Sequence, residues 1–326
     1  MQTVPYFAML LGGLILAALL FHFCLARAKE KRALAWLTLG LGCVLGLLLS
    51  KLVFVLFRAD EVFSLHGAGA LVRFSPEEFS FVAGCAGFVL ACVLAARIAR
   101  VGVPRALDLM AAPLALGVAF ARAAESFLGQ LGQGEDLTDA AWTHFFPLSM
   151  EYEWPEEWYL PVNLHLAFLA LVCAALALFW LQGCGGAPGV CFSRTVVLLC
   201  APLFILELMR TVSVTILVRV HTEQILCFAV MAACIMTAAV RVRRSVWGIV
   251  VPALLLALVL GLNVALQFGA DGKLNSFIES LPLSEGVIAW MTGRAWDWCY
   301  PAMILTDIGL VWMEMHLTRR QLKAQK

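Results

Sequence analysis

An arginine and a glutamate lie inside an otherwise apolar stretch of this sequence, between Asp108 and Gly134. Arg122 and Glu125 are three residues apart, so in a helix they lie on one face. A charged side chain inside a membrane helix is costly and is usually retained for a function. This face is therefore our first candidate for a binding or catalytic site. The alternative is an ion pair whose sole effect is to neutralise a buried charge.

A second pair repeats this spacing further along the chain. Glu207 and Arg210 are also three residues apart, in a segment that contains His221 and Gln224. We expect the pair to form a polar cluster that faces the first one across a helix bundle. The alternative is a salt bridge on the outer surface, which would contribute little stability.

The elements that must position these residues are membrane helices. The 326 residues are 62% hydrophobic and 14% charged, and many apolar runs are long enough to cross about 30 Å of hydrocarbon. The sequence predicts an all-α, polytopic membrane protein with about nine transmembrane helices. The predicted spans are 5–25, 34–57, 79–97, 106–128, 161–181, 195–210, 222–240, 246–266 and 298–317.

The basic residues predict the orientation of the bundle. Most of the 23 lysines and arginines fall on loops of one side, which the positive-inside rule makes cytoplasmic. The N-terminus is then outside and the C-terminus inside, which requires an odd number of spans. The basic residues of the inner side are Arg27, Lys29, Lys31, Arg32, Arg97, Arg100, Arg105, Arg194, Arg241, Arg243, Arg244, Arg319, Arg320, Lys323 and Lys326.

The outer loop 129–160 is acidic and rich in aromatic residues, without a lysine or arginine. It is either an aromatic belt at the membrane surface or a rim that guides a polypeptide or a lipid headgroup into the bundle. The sequence lacks a long basic run and a zinc-ligand spacing, so we expect no nucleic-acid partner, no metal and no cofactor. Residues 5–25 are predicted to be the first span and not a cleavable signal peptide.

Four sequence blocks, in order, resemble the bacterial prolipoprotein diacylglyceryl transferase family. They begin with Pro5-Tyr6 and a second block, Phe81-Val82-Ala83-Gly84-Cys85-Ala86-Gly87. The third runs from Asp108 through Pro113, Gly117 and Arg122-Ala-Ala-Glu125 to Gln130. The fourth is Glu207-Leu-Met-Arg210 followed by Glu223-Gln224. The resemblance covers about 1–245, which we predict to be the core; 246–326 adds two helices and a basic cytoplasmic tail.

The sequence departs from the family pattern at several polar positions. Val82 stands where the family has histidine, and Leu203 stands where it has an arginine one turn before Glu207. Glu125 replaces an asparagine, and Gln130 replaces the glutamate of the signature.

The resemblance implies transfer of a diacylglyceryl group from phosphatidylglycerol to the lipobox cysteine of a prolipoprotein, in the bacterial cytoplasmic membrane. It implies catalytic roles for Arg122, Glu125 and Glu207. His66, in a Gly-rich outer loop, is the candidate replacement base; His165 and His221 are outer-side alternatives, and a solvated histidine is the plain alternative. Substrate contacts are expected from Tyr6, Gly84, Gly87, Gln130, Arg210 and Gln224. For the glycines, close helix packing is the competing interpretation.

Two other functions stay open at this point. The first is a catalytically inactive or redirected relative that binds lipid or lipoprotein, which Val82 and Leu203 favour. The second is a transporter of a small anion that uses Arg122 and Arg210 as substrate contacts; it requires a water path to the cytoplasmic side.

Overall fold

The computed structural model describes residues 3–57, 69, 78–139, 141–151, 157–183, 187–210, 215–217, 220–242, 246–270, 275–292 and 295–324. Within these ranges the architecture is a bundle of long helices. They are α1 (Thr3–Arg27), α2 (Ala33–Phe57), α3 (Phe81–Ala99), α4 (Val103–Ala124), α5 (Val162–Gly183), α6 (Val190–Leu206), α7 (Thr222–Val242), α8 (Trp247–Ala270), α9 (Asn275–Glu279), α10 (Glu285–Thr292) and α11 (Ala295–Ala324).

In the described part of the chain, α1 to α8 are long and apolar enough to cross a membrane. This confirms the all-α polytopic fold. The predicted ninth span, 298–317, lies within α11 but is not one of these eight. Asp307 and Glu314 lie in that helix and make it more polar, although its 30 residues are ample for a crossing.

The first four helices form one half of the bundle. α2 lies along α3, and α1 lies along α4. The backbones of α2 and α3 meet at two glycines, because a Cβ atom on Gly87 would lie 2.6 Å from the Cα of Gly46. Small residues at this crossing allow the two helices to approach more closely than side chains would permit.

The other half is built around α6, which contacts α4, α5, α7 and α11. Asp108 joins the two halves. Its carboxylate accepts hydrogen bonds from the backbone N–H groups of Gly189 at 2.6 Å and Phe192 at 2.9 Å. Asp108 therefore caps the N-terminus of α6 from the second turn of α4.

Short elements follow the C-terminal ends of α4 and α6. A 3-10 helix, Glu125–Gly132, continues α4, and another, Glu207–Met209, continues α6. Strand β1 (Met150–Glu151) pairs antiparallel with β2 (Trp158–Tyr159) in the loop between α4 and α5. Strand β3 (Thr215–Leu217) pairs with β4 (Val220–His221) just before α7. These elements bring the ends of α4, α6 and α7 together.

The two long helices beyond residue 245, α8 and α11, pack on the preceding helices. α11 lies along α8 and also contacts α6 and α7. Ser193 of α6 donates a hydrogen bond to Glu314 at 2.6 Å, and Arg194 Nε donates one to the Thr318 hydroxyl at 2.8 Å. These contacts explain how a helix with a buried acid is held in the bundle.

Candidate functional site

The two ion pairs predicted from sequence form one buried network. Glu125 accepts a hydrogen bond from Arg122 Nη1 at 2.7 Å and one from Arg210 Nη2 at 2.7 Å. Arg210 Nη1 lies 3.4 Å from Glu207 Oε1, and Arg122 Nη2 lies 3.9 Å from Glu207 Oε2. Two guanidinium groups and two carboxylates thus alternate, and their formal charges cancel.

Both pairs lie where an α-helix tightens into a 3-10 helix. Arg122 is in the last turn of α4, and Glu125 begins the following 3-10 helix; Glu207 begins the one after α6. The equivalent placement puts the pairs at the same end of the bundle. Glu207 and Arg122 are 1% and 0% exposed, so each charge depends on its neighbours for compensation.

Burial alone would disfavour the charged form of Arg210, which lies just past the spanning part of α6. The carboxylates of Glu125 and Glu207 outweigh this effect and raise the pKa of the Arg210 guanidinium above its usual value. The network therefore keeps the Arg210 guanidinium charged at a buried position.

The Arg122 guanidinium is enclosed but retains hydrogen-bonding capacity. Its Cζ lies 3.8 Å from the centre of the Phe81 ring. Among the described residues, Nε and Nη2 have no hydrogen-bond partner, and a guanidinium has five N–H donors in a planar fork. An anion that reached this point would find donors already in place.

A cavity of about 460 Å³ leads to this network. It lies between α1, α2, α3 and α4, and its walls are largely apolar. Tyr6, Gly84 and Glu125 line it, and Glu125 is the one charged residue among the described lining residues. Phe7 and Leu11, which also line it, are exposed on the surface of α1, so the cavity opens toward lipid.

The cavity does not reach Arg122 itself. Arg122 is fully buried and is absent from the described residues that line the cavity, whereas Phe81, Ala121 and Glu125 line it. Glu125 therefore separates the cavity from both guanidinium groups. A ligand in the cavity meets the carboxylate first and the cations behind it.

Glu223 holds the start of α3 beside the network. Its carboxylate accepts hydrogen bonds from the backbone N–H groups of Phe81 and Val82, both at 2.8 Å. The Ser80 hydroxyl accepts the next one, from Ala83 at 3.3 Å. All four free N–H groups at this helix end are satisfied, because the Ser80 N–H also donates to the Ser50 carbonyl at 3.2 Å, and two of the four donate to a residue of α7.

Our sequence analysis did not assign a role to Glu223, although the residue precedes the predicted site residue Gln224. The side chain of Val82 is buried, so an apolar group occupies the position where the family pattern has histidine. The sequence did contain an indication of its importance, because Glu223 is a second acidic residue in a largely apolar segment that follows Glu207.

Gln224 links α7 to α6 through a hydrogen bond. Its amide nitrogen donates to the Phe204 carbonyl at 3.1 Å, and its amide oxygen accepts from the His221 backbone at 3.3 Å. Gln224 and His221 are both buried. These contacts fix the segment that carries Glu207 and Arg210 against the first turn of α7.

The other predicted site residues are glycines of α3, residues that the structure does not describe in full, and a histidine of α5. Gly84 lines the cavity, while Gly87 meets the backbone of Gly46, as close packing predicts. Gln130 lies in the 3-10 helix after Glu125, with its side chain outside the described set; His66 lies outside the described residues altogether. His165 is half-buried in the first turn of α5.

A buried amide also supports this end of the bundle. Asn163 of α5 is fully buried and donates a hydrogen bond to the Ser126 hydroxyl at 2.7 Å, one residue after Glu125. The bond fixes the start of the 3-10 helix that carries Glu125. In the described part of the chain, no group of three histidine, cysteine or acidic residues has the arrangement that a metal ion needs.

The comparison with protein families identifies the group to which these features correspond. The family model described as prolipoprotein diacylglyceryl transferase matches residues 2–240. No curated protein matches the chain. The matched range contains the buried network, the cavity and Glu223, and it ends before α8 and α11 begin.

Proposed function

The chain belongs to the prolipoprotein diacylglyceryl transferase family, and on this premise we propose that it transfers diacylglyceryl from phosphatidylglycerol to a cysteine thiol of a prolipoprotein. It is a multi-pass membrane protein of a family of transferases that act in lipoprotein biosynthesis. The single observation that carries the proposal is the cation pair, Arg122 and Arg210, at the polar end of a cavity that opens to lipid.

The proposed reaction is a displacement at the carbon of the diacylglycerol that is bonded to the phosphate oxygen. The thiolate sulfur of the acceptor cysteine forms a bond to that carbon, and the bond from the carbon to the phosphate oxygen breaks. Glycerol 1-phosphate leaves with the bonding electrons, and the thiol proton passes to a base. His66 is our candidate for this base; it lies outside the described residues.

Arg122 and Arg210 are the proposed ligands of the phosphate. A phosphate group presents several oxygens, and two guanidinium groups can bind it at once. Glu125 already makes such a bridge, with one oxygen on each arginine at 2.7 Å. We infer that the lipid phosphate replaces the Glu125 carboxylate, and that the displaced side chain turns into the cavity.

The remaining residues have positioning roles in this proposal. Glu207 compensates both arginines and fixes their separation, while Gln224 fixes the end of α6. Tyr6 and Gly84 line the cavity that would hold the acyl chains. Gly87 contributes through the crossing of α2 and α3, and Gln130 follows Glu125 on the same 3-10 helix.

The site would face the outer leaflet of a bacterial cytoplasmic membrane. The proposed orientation, N-terminus outside and C-terminus in the cytoplasm, follows from the basic inner loops. It places the ends of α4 and α6 that carry the network on the outer side. There the outer loop 129–160 would meet the signal-peptide region of the acceptor.

A second candidate is a relative that binds the lipid without transferring it. Val82 and Leu203 favour it, because both are buried and apolar at positions where the family resemblance places a histidine and an arginine. This candidate keeps the phosphate site and loses the proton transfer that the thiol needs. Both candidates therefore predict that the protein binds the lipid, but only the first predicts that a lipidated peptide is formed.

Binding of phosphatidylglycerol to the full-length protein in detergent, followed by native mass spectrometry, tests the lipid site. We expect Arg122→Ala to remove the bound lipid, while Arg320→Ala, which deletes an exposed charge at the other end of the bundle, leaves it. Equal lipid occupancy in the two variants would contradict the proposed role of Arg122. Transfer to a lipobox peptide then separates the two candidates.

A further inference from the structure

A second cavity is lined by helices that do not line the first one. It is a groove of about 320 Å³ between α5, α6 and α11. Its walls are apolar, with Val172 from α5 and Ile304 and Ile308 from α11 at its edges. All three are exposed, so the groove opens toward lipid. It involves α11, which lies beyond the residues that the family model matches.

One acidic side chain is buried in this groove. Asp307 is 2% exposed, and neither of its carboxylate oxygens has a hydrogen-bond partner among the described residues. Its neighbours on α11 show that it faces the bundle. The buried residues of that face recur at helical spacing: Met303, Asp307, Leu310, Glu314 and Leu317.

We place α11 across the membrane, because its 30 residues are ample for a crossing, and Asp307 then lies deep in the hydrocarbon. Arg319, on the basic cytoplasmic end of α11, is twelve residues further along, which corresponds to about 18 Å of helix. Half of the hydrocarbon thickness is about 15 Å. Lipid headgroups are therefore beyond the reach of this carboxyl, and an acyl chain has no hydrogen-bond donor to offer it.

A second acceptor lies in the same groove. Pro202 of α6 lacks a backbone N–H, so it cannot make the helical hydrogen bond to the carbonyl of Leu198. Both residues line the groove with Asp307. Glu314, two turns along α11, differs because the Ser193 hydroxyl donates to it at 2.6 Å. The groove thus holds one carboxylate without a hydrogen-bond partner among the described residues, beside a carbonyl that lacks its usual helical donor.

The chemistry of the groove restricts what could occupy it. The occupant must be apolar over most of its surface and must supply a cationic donor near the middle of the membrane. A second copy of this chain does not supply such a cationic donor, because the basic side chains in the middle of its described spans already have partners. Lys51 contacts Glu78, Arg122 contacts Glu125, and Arg194 contacts Thr318.

We propose that this groove binds a transmembrane helix of another membrane protein that carries a lysine at mid-membrane depth. The lysine side chain enters between α5 and α11, and its ammonium group donates to Asp307 and to the Leu198 carbonyl. The apolar sides of the partner helix pack on Val172, Ile304 and Ile308. The site is separate from the proposed transferase site and does not depend on it.

Energy transfer in proteoliposomes tests this proposal. The donor is attached through a C-terminal tag, since the chain has 11 cysteines. The acceptor is on a twenty-residue leucine–alanine helix with one central lysine, and the matched peptide has leucine there. We expect the lysine peptide to associate about tenfold more tightly with the protein. Asp307→Asn should abolish this preference.

Glu314→Gln is the matched control, because it removes a buried acid of the same helix face that already has a donor. It should retain the preference for the lysine peptide. Equal association of the two peptides, or a preference that survives Asp307→Asn, would overturn the proposal. Asp307→Leu should raise the melting temperature of the protein without a peptide; a lower melting temperature would indicate a structural role and also overturn it.

Discussion

Glu125 lies between two arginines, with each carboxylate oxygen 2.7 Å from a different guanidinium nitrogen. This is the arrangement that a phosphate group would adopt on the same pair of cations. Glu125 also lines the lipid-facing cavity, whereas Arg122 does not. The residue thus neutralises the two arginines and, in the proposed function, competes with the lipid phosphate for them.

The competition predicts that Glu125→Gln increases the affinity for phosphatidylglycerol. The variant leaves a net positive charge on the network, and the neutral amide is a weaker competitor for the arginines. We expect short-chain phosphatidylglycerol to bind about tenfold more tightly, or roughly 1.4 kcal/mol, by calorimetric titration in detergent. The control is Glu135→Gln, which changes an exposed acid of the loop 129–160. Unchanged or weaker binding by Glu125→Gln would show that Glu125 does not occupy the phosphate position.

The start of α3 depends on a residue of another helix. Glu223, from the first turn of α7, accepts the backbone N–H groups of Phe81 and Val82. Phe81 in turn stacks on the Arg122 guanidinium. The first turn of α3, the network and α7 are therefore coupled through hydrogen bonds and one ring contact.

Loss of this cap predicts local opening of α3. Glu223→Ala removes the acceptor of two N–H groups and should destabilise the helix end by about 1–2 kcal/mol. Hydrogen exchange should become faster at the amides of Phe81 and Val82, with little change in α5. Ile225→Ala, a partly exposed change on the same helix, should leave these amides protected. If Glu223→Ala leaves them equally protected, another group caps the helix.

The crossing of α2 and α3 gives a second prediction about the packing of the helices. Gly87→Ala places a Cβ atom 2.6 Å from the Cα of Gly46, so the two helices must separate. We expect a loss of about 1–3 kcal/mol in the free energy of unfolding, measured by denaturation in mixed micelles. Gly40→Ala on α2 is the control, since no atom lies within 4 Å of its new Cβ. A Gly87→Ala protein as stable as Gly40→Ala would contradict this close packing.

At the scale of the whole molecule, the apolar runs were sufficient to predict the membrane helices. A continuous run of about 20 apolar residues has few alternatives to a membrane helix, because a backbone in lipid must satisfy its own hydrogen bonds. The last helix was harder to judge, since Asp307 and Glu314 lower its apolar character. Its contacts with α6 and α8, which compensate for this, are visible only in the fold.

Part of the site was also predictable from the sequence. The spacing of Arg122 with Glu125, and of Glu207 with Arg210, predicted each ion pair. Their union into one network depends on the packing of α4 beside α6, which local spacing cannot specify. The role of Asp108 could not be predicted for the same reason, because its partners, Gly189 and Phe192, begin another helix.

The basic loops predict the orientation of the molecule. A green fluorescent protein fused after Lys326 should fluoresce, because it would fold in the cytoplasm. Alkaline phosphatase inserted after Asp139, in the outer loop, should be active because it folds only outside. The opposite result at both positions would invert the proposed topology and would place the network at the inner leaflet.

Transfer of diacylglyceryl by the purified full-length protein tests the proposed function most directly. The protein in nanodiscs that contain phosphatidylglycerol would be mixed with a lipobox peptide, and the peptide mass and released glycerol 1-phosphate would be measured together. We predict that both products form in equal amounts with the natural sequence and that neither forms with Arg122→Ala. Lipid that remains bound through Arg122 while neither product forms would contradict the transferase function and leave a lipid-binding protein.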